Sequence, residues 1–104
     1  MLKSFRIETA LKKLGKDIGD ARKRRRITMS LMAERMGVTR TTLGRIEKGD
    51  QTVNMGAYAM ALMVLGKIED LEMLVDRTND PLGLNILDEA LPKRVRTPRP
   101  RKNP

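Results

Sequence analysis

Gly37, inside the stretch TMSLMAERMGVTRTTLGRIEKG at residues 28–49, constrains this chain more than any other residue. Thr28 is a good helix N-cap, and Leu31, Met32, Ala33 and Met36 fall on one side of a helix that runs out at Gly37. Thr39 then caps a second helix, which sends Leu43 and Ile46 inward while Arg40, Thr41, Thr42 and Arg45 project together from the other side. Where two helices meet steeply through so short a turn, the residue after the first needs positive φ, which glycine adopts without steric penalty. The outward set on the second helix consists wholly of hydrogen-bond donors and acceptors.

Two helices joined in this way form a helix-turn-helix, and a second helix with such an outward side fits the major groove of DNA. Arginine can donate two hydrogen bonds to O6 and N7 of guanine, and threonine offers a hydroxyl together with a methyl for thymine. The opposing reading is an ordinary helical hairpin whose polar side meets water. Charge distribution weighs against it: residues 1–48 hold 14 Lys or Arg against 5 Asp or Glu, residues 49–91 hold 2 against 8, and residues 92–104 hold 6 against none. A merely solvated surface mixes its signs, whereas here the cations gather in the half that carries the motif. Affinity for phosphate follows, with steep dependence on salt.

Taken together, Ala33, Gly37-Val38-Thr39, Thr42-Leu43, Arg45-Ile46-Glu47 and Gly49 stand in an order and spacing that resembles the phage-repressor or Xre/Cro-type helix-turn-helix domain, over residues 11 to 65. The resemblance implies an all-α fold, a compact bundle of about five helices. It implies further that Arg40, Thr41 and Arg45 face base edges, and that Thr28, Ser30 and Lys48 lie near backbone phosphates. Thr42, on the same outward side, joins the readers. A structural ion pair between Arg22 and Glu47 is also implied; loss of one partner there should cost stability rather than specificity. Two positions depart from the family pattern. Met29 stands where many relatives have Gln, and Gly44 lies inside the recognition helix at a cost of about 1 kcal/mol in helix propensity.

The run Arg22-Lys23-Arg24-Arg25-Arg26 ends a first helix whose apolar stripe is Leu11, Leu14, Ile18 and Ala21. Cations in a last helical turn also satisfy orphan carbonyls and the negative end of the macrodipole, so only part of the run is left for DNA. With 104 residues the chain suits one small domain and an appendage. It contains no Cys and no His, which removes disulfides, thiol chemistry, zinc ligation and the commonest general base. No pair of side chains is spaced for catalysis, and neither a cofactor nor a metal is expected. No apolar run approaches membrane-spanning length and the amino end lacks the pattern of a signal peptide, so a soluble cytoplasmic protein is expected.

The organisation expected is an N-terminal extension at 1–10 leading into the first helix, a domain at 11–78, a docking segment at 79–91 and a basic tail at 92–104. Asn54 can cap a helix MGAYAMALMVL that is apolar on nearly every side and closes at Gly66. So small a domain has too little core to cover such a helix all round, which suggests a partner subunit. That reading places Tyr58, Leu62, Leu65, Ile68, Leu71 and Leu74 at a homodimer interface, and a symmetric dimer would set two recognition helices about 34 Å apart on a palindromic operator. Past the turn signal at Asp80-Pro81-Leu82-Gly83, residues 84–91 read as a short helix docking Leu84, Leu87 and Leu91, and the tail PKRVRTPRPRKNP as disordered or polyproline II. The tail is a solubilising segment, a basic arm on DNA, or a segment that folds onto a protein partner.

A narrower resemblance rests on overall size, the short acidic helix after the domain, and the ending DPLG followed by LDEALPKRVR. It is to the HipB-like antitoxins, and implies a DNA-binding dimer that represses its own operon and holds a HipA-like kinase toxin inactive. The alternative is a protein-interaction module that inhibits a partner enzyme and binds DNA only weakly.

Overall fold

The structure, a computed structural model, describes residues 4–83, and it divides the chain into two compact units, residues 1–72 and residues 73–104. Among the described residues of the first unit all regular structure is helical: α1 (Phe5–Arg24), α2 (Met29–Met36), α3 (Arg40–Glu47), α4 (Met55–Val64) and α5 (Ile68–Glu72). Four of these helices start on a side-chain cap. Ser4, Thr28, Thr39 and Asn54 each sit in extended backbone and accept the amide of the residue three further on, at 3.2, 3.1, 3.1 and 2.8 Å. Each cap satisfies one of the amides that a helix start leaves without an internal partner.

α1 begins at Phe5, so residues 5–10 belong to the helix rather than to an extension before it. The apolar stripe gave no sign of this, because Phe5, Arg6 and Ile7 are exposed. The division after Glu72 likewise falls earlier than the expected limit at 78.

The core is formed by Ile18 and Ala21 of α1, Met32, Ala33 and Met36 of α2, Leu43 and Ile46 of α3, and Tyr58, Ala61 and Leu65 of α4 and its C-cap. α3 is held between α1 and α2, and α4 packs on α2. Glycines make the α1–α3 crossing possible. A Cβ on Gly15 would lie 2.6 Å from the Gly49 amide nitrogen and 2.8 Å from the Glu47 carbonyl oxygen, so backbone meets backbone there.

α4 corrects one expectation. Tyr58 and Leu65, assigned to a subunit interface, are buried in the core of the single chain, and the Tyr58 hydroxyl donates to the Asp50 carbonyl at 2.8 Å. Leu62, Ile68 and Leu71 are half-buried, and Leu74 is exposed in the second unit. The side of α4 left open carries Met55, Met60 and Met63, of which Met55 is 69% and Met63 60% exposed. A helix apolar all round has no phase in its sequence; the fit of Ala61 and the Tyr58 hydrogen bond decide which side turns inward.

In the second unit Asp76 caps a short 3-10 turn (Arg77–Asn79), accepting from the Thr78 amide and hydroxyl, and the Asn79 side-chain amide donates to the Met73 carbonyl at 2.6 Å. Residues 81–83 are helical. The docking helix expected at 84–91 and the tail at 92–104 lie outside the described residues.

Candidate nucleic-acid interface

The turn between α2 and α3 is closed by Gly37, at φ 73°, with its amide on the Glu34 carbonyl and the Val38 amide on the Ala33 carbonyl. No atom lies within 4 Å of a Cβ built on Gly37, so backbone conformation rather than space demands glycine there. The Thr39 cap then restarts the chain at the angle that buries Leu43 and Ile46 and turns the opposite side of α3 outward.

On that side Arg40 and Thr41 are exposed in the first turn, and among the described residues neither side chain has a partner. Thr42 is different. It is half-buried, and its hydroxyl accepts from the Thr39 hydroxyl at 3.1 Å, which makes it part of the cap as much as of the outer surface. Arg45 is exposed but held: its Nε donates to Asp50 Oδ2 at 2.9 Å and its Nη2 to Thr52 Oγ1 at 2.5 Å. Asp50 accepts in turn from the Thr52 amide at 2.7 Å and the Thr52 hydroxyl at 2.6 Å. These Thr52 bonds, then the Arg45 guanidinium, hold the Asp50 carboxyl down at about pKa 2.

The residues assigned to phosphates sit at two helix ends. Thr28 caps α2 and Ser30 is exposed in its first turn, where unpaired amides and the positive end of the helix dipole favour an anion. Lys48, exposed, is the C-cap of α3, its amide shared between the carbonyls of Gly44 and Arg45 at 3.2 and 3.1 Å.

The basic run divides between fold and surface. Arg22 is buried: Nε donates to Glu47 Oε2 at 2.7 Å, Nη2 to Glu47 Oε1 at 3.2 Å, and Nη1 to the Ile27 carbonyl at 2.8 Å. Each of its three side-chain nitrogens thereby donates, and the contact with Glu47 has the bidentate geometry that suits a buried pair. Arg25 turns its Nη1 back on the Ala21 carbonyl at 2.9 Å and closes the end of α1. Lys23, Arg24 and Arg26 stay exposed, and Arg26 takes the left-handed conformation at φ 55°.

Asp50 and Thr52 were not singled out by the sequence reading, and Tyr58 was singled out only for a subunit interface. A signal was present: Gly49 follows α3 directly, and a left-handed glycine there, at φ 74°, returns the chain toward the last turn of α3. Asp-x-Thr just after such a turn is a common side-chain-to-backbone arrangement.

Compared with known proteins, residues 18–58 match a family model described as helix-turn-helix. The matched segment runs from the second half of α1 through α2 and α3 into α4, and takes in the Arg22–Glu47 pair, the Gly37 turn and the Asp50 loop. No curated protein and no solved structure matches the chain. Among the described residues no helix is long and apolar enough to cross a membrane.

Proposed function

We propose, on the premise that residues 18–58 form a helix-turn-helix domain of the kind by which transcription regulators bind DNA, that the protein is a sequence-specific repressor. The observation that carries this reading is the outward side of α3, where Arg40 and Thr41 stand exposed and, among the described residues, without partners at the start of a helix whose other side is core. Arg40, Thr41, Thr42 and Arg45 read bases, and Thr28, Ser30 and Lys48 contact phosphates. Exposed Lys23, Arg24 and Arg26 add to the phosphate attraction.

The protein acts as a homodimer on a palindromic operator. The open methionines of α4 support this, since apolar side chains of that size left in water are a common sign of a missing partner. The narrower role, an antitoxin that also neutralises a HipA-like kinase toxin, is supported by the sequence resemblance in the ending of the chain.

Fluorescence anisotropy tests the reading, with labelled duplex from upstream of the protein's own gene and a scrambled duplex, across a salt series. Preference for the native duplex by about a thousandfold at physiological salt is expected. Equal binding to both, released together as salt rises, would leave only electrostatic attraction and overturn the repressor reading.

A further inference from the structure

The loop after α3 is built around one side of one arginine. Arg45 uses Nε and Nη2, the two nitrogens along the side of the guanidinium, on Asp50 and Thr52. The Thr52 hydroxyl accepts from Arg45 and donates to Asp50, so each proton in this small network has a definite direction. The loop itself is anchored from behind: the Asp50 amide donates to the Arg45 carbonyl at 3.0 Å, and the buried Tyr58 hydroxyl donates to the Asp50 carbonyl at 2.8 Å. Nη1 and the second proton of Nη2, which together form the end of the guanidinium, are given no partner by any described residue. The Arg45 side chain remains 44% exposed.

A long flexible side chain that must read a base loses rotamer freedom on binding. Here part of that cost is already met in the free protein by the bonds to Asp50 and Thr52. The remaining pair of parallel N–H groups matches the O6 and N7 acceptors of guanine. The carboxylate beside them opposes indiscriminate attraction to phosphate.

We propose that Asp50 and Thr52 are positioning residues that hold Arg45 along its side and present the end of its guanidinium to a guanine. The proposal rests on the DNA-reading role of α3. It makes Arg45 the residue that demands guanine at one position of each half-site, and Asp50 the residue that makes the demand selective.

The test is selection from a randomised double-stranded DNA library, followed by anisotropy on the selected duplex and on duplexes with single bases replaced. Wild type is compared with Arg45→Ala, Asp50→Ala and Thr52→Val, each checked for fold by circular dichroism; the backbone bonds of the loop survive in all three. In wild type, replacing the guanine should weaken binding between about fivefold and about a hundredfold. Arg45→Ala should be indifferent to that replacement, which identifies the position. Asp50→Ala and Thr52→Val should lose most of the discrimination there and keep it elsewhere in the site. Asp50→Ala, with one negative charge fewer, should also bind scrambled duplex more tightly and with a steeper salt dependence. A merely structural role would weaken all positions together. Full guanine discrimination in Asp50→Ala, or tighter binding to the selected duplex, would overturn the proposal, the second by making the contact a mask over Arg45. Unchanged preferences in Arg45→Ala would also overturn it while leaving the DNA-reading role intact. A wild type that selects no sequence removes both.

Discussion

Replacing Arg22 by Met should remove a large part of the stability of the first unit. The two side chains of the Arg22–Glu47 pair are only 9% and 15% exposed. Without the guanidinium, the Glu47 carboxylate keeps almost none of its hydration and loses both of its Arg22 hydrogen bonds, while the Ile27 carbonyl loses its side-chain donor. Breaking a buried pair by removing one partner costs about 3–5 kcal/mol, against a total of about 5–15 kcal/mol for ordinary domains. At about 4–8 °C of melting temperature per kcal/mol for a domain of this size, the midpoint should fall by more than about 12 °C. Thermal and urea unfolding of Arg22→Met, Glu47→Met and the double variant measure this directly. The double variant, with no charge left to bury, should recover most of the loss, because apolar groups of similar volume replace a buried pair at little cost. A single variant within about 1 kcal/mol of wild type, or a double variant as unstable as the two losses added, would refute the reasoning.

Four further outcomes follow from the geometry. Gly15→Ala should destabilise by about 2 kcal/mol despite its better helix propensity, because its Cβ would press on backbone atoms of Ile46, Glu47 and Gly49 that have no rotamer to yield; denaturant unfolding reads it. Gly44→Ala should do the opposite, adding up to about 1 kcal/mol in thermal unfolding, since the nearest atom to its new methyl is the Met29 Cε at 4.0 Å. Arg26→Gly should raise stability by about 0.5–1 kcal/mol, the relief of a left-handed side chain at φ 55° less the added freedom of the unfolded chain. Because the Asp50 carboxyl is lowered from 3.8 to about 2, its interaction with Thr52 and Arg45 is fully present above pH 4 or so and is lost as pH falls through about 2. The Asp50 side-chain carbon followed by NMR should titrate there, and nearer 3.8 in a Thr52→Val, Arg45→Ala double variant.

What was legible in the sequence was local. Thr28, Thr39 and Asn54 announce helix starts because the cap is a contact between a side chain and an amide three residues away, and Gly37 announces the turn because only glycine takes its φ freely. The inward set Leu43 and Ile46 follows from helix periodicity alone. Local pattern was silent wherever the answer lay across the fold, and the Arg22–Glu47 pair was expected only through the family resemblance. In a run of five cations nothing local distinguishes Arg22, which is buried on Glu47, from Arg24, which is exposed. In α4 nothing local distinguishes Tyr58 from Met55, since both sides of the helix are apolar. Arg45 looked as free as Arg40 because its partners arrive only after Gly49 turns the chain back.

The arrangement around α3 separates the residues that hold the helix from those it leaves exposed. A helix of 8 residues does not hold its own shape in water, so its direction comes from what it is tied to. Leu43 and Ile46 tie its inner side to the core, Glu47 ties its end to α1 through Arg22, and the Asp50 loop, fixed by Tyr58, closes over its last turn. None of these ties uses Arg40 or Thr41. Substitutions at exposed positions away from such ties usually change stability by less than about 0.5 kcal/mol, so Arg40 and Thr41 can be exchanged at almost no cost to the fold. Arg45 stands at the boundary of the two regimes. Its inner edge belongs to the loop and its outer edge is open, so under the proposed reading a change at Asp50 should alter what this arginine reads without touching either the core or the remaining exposed residues.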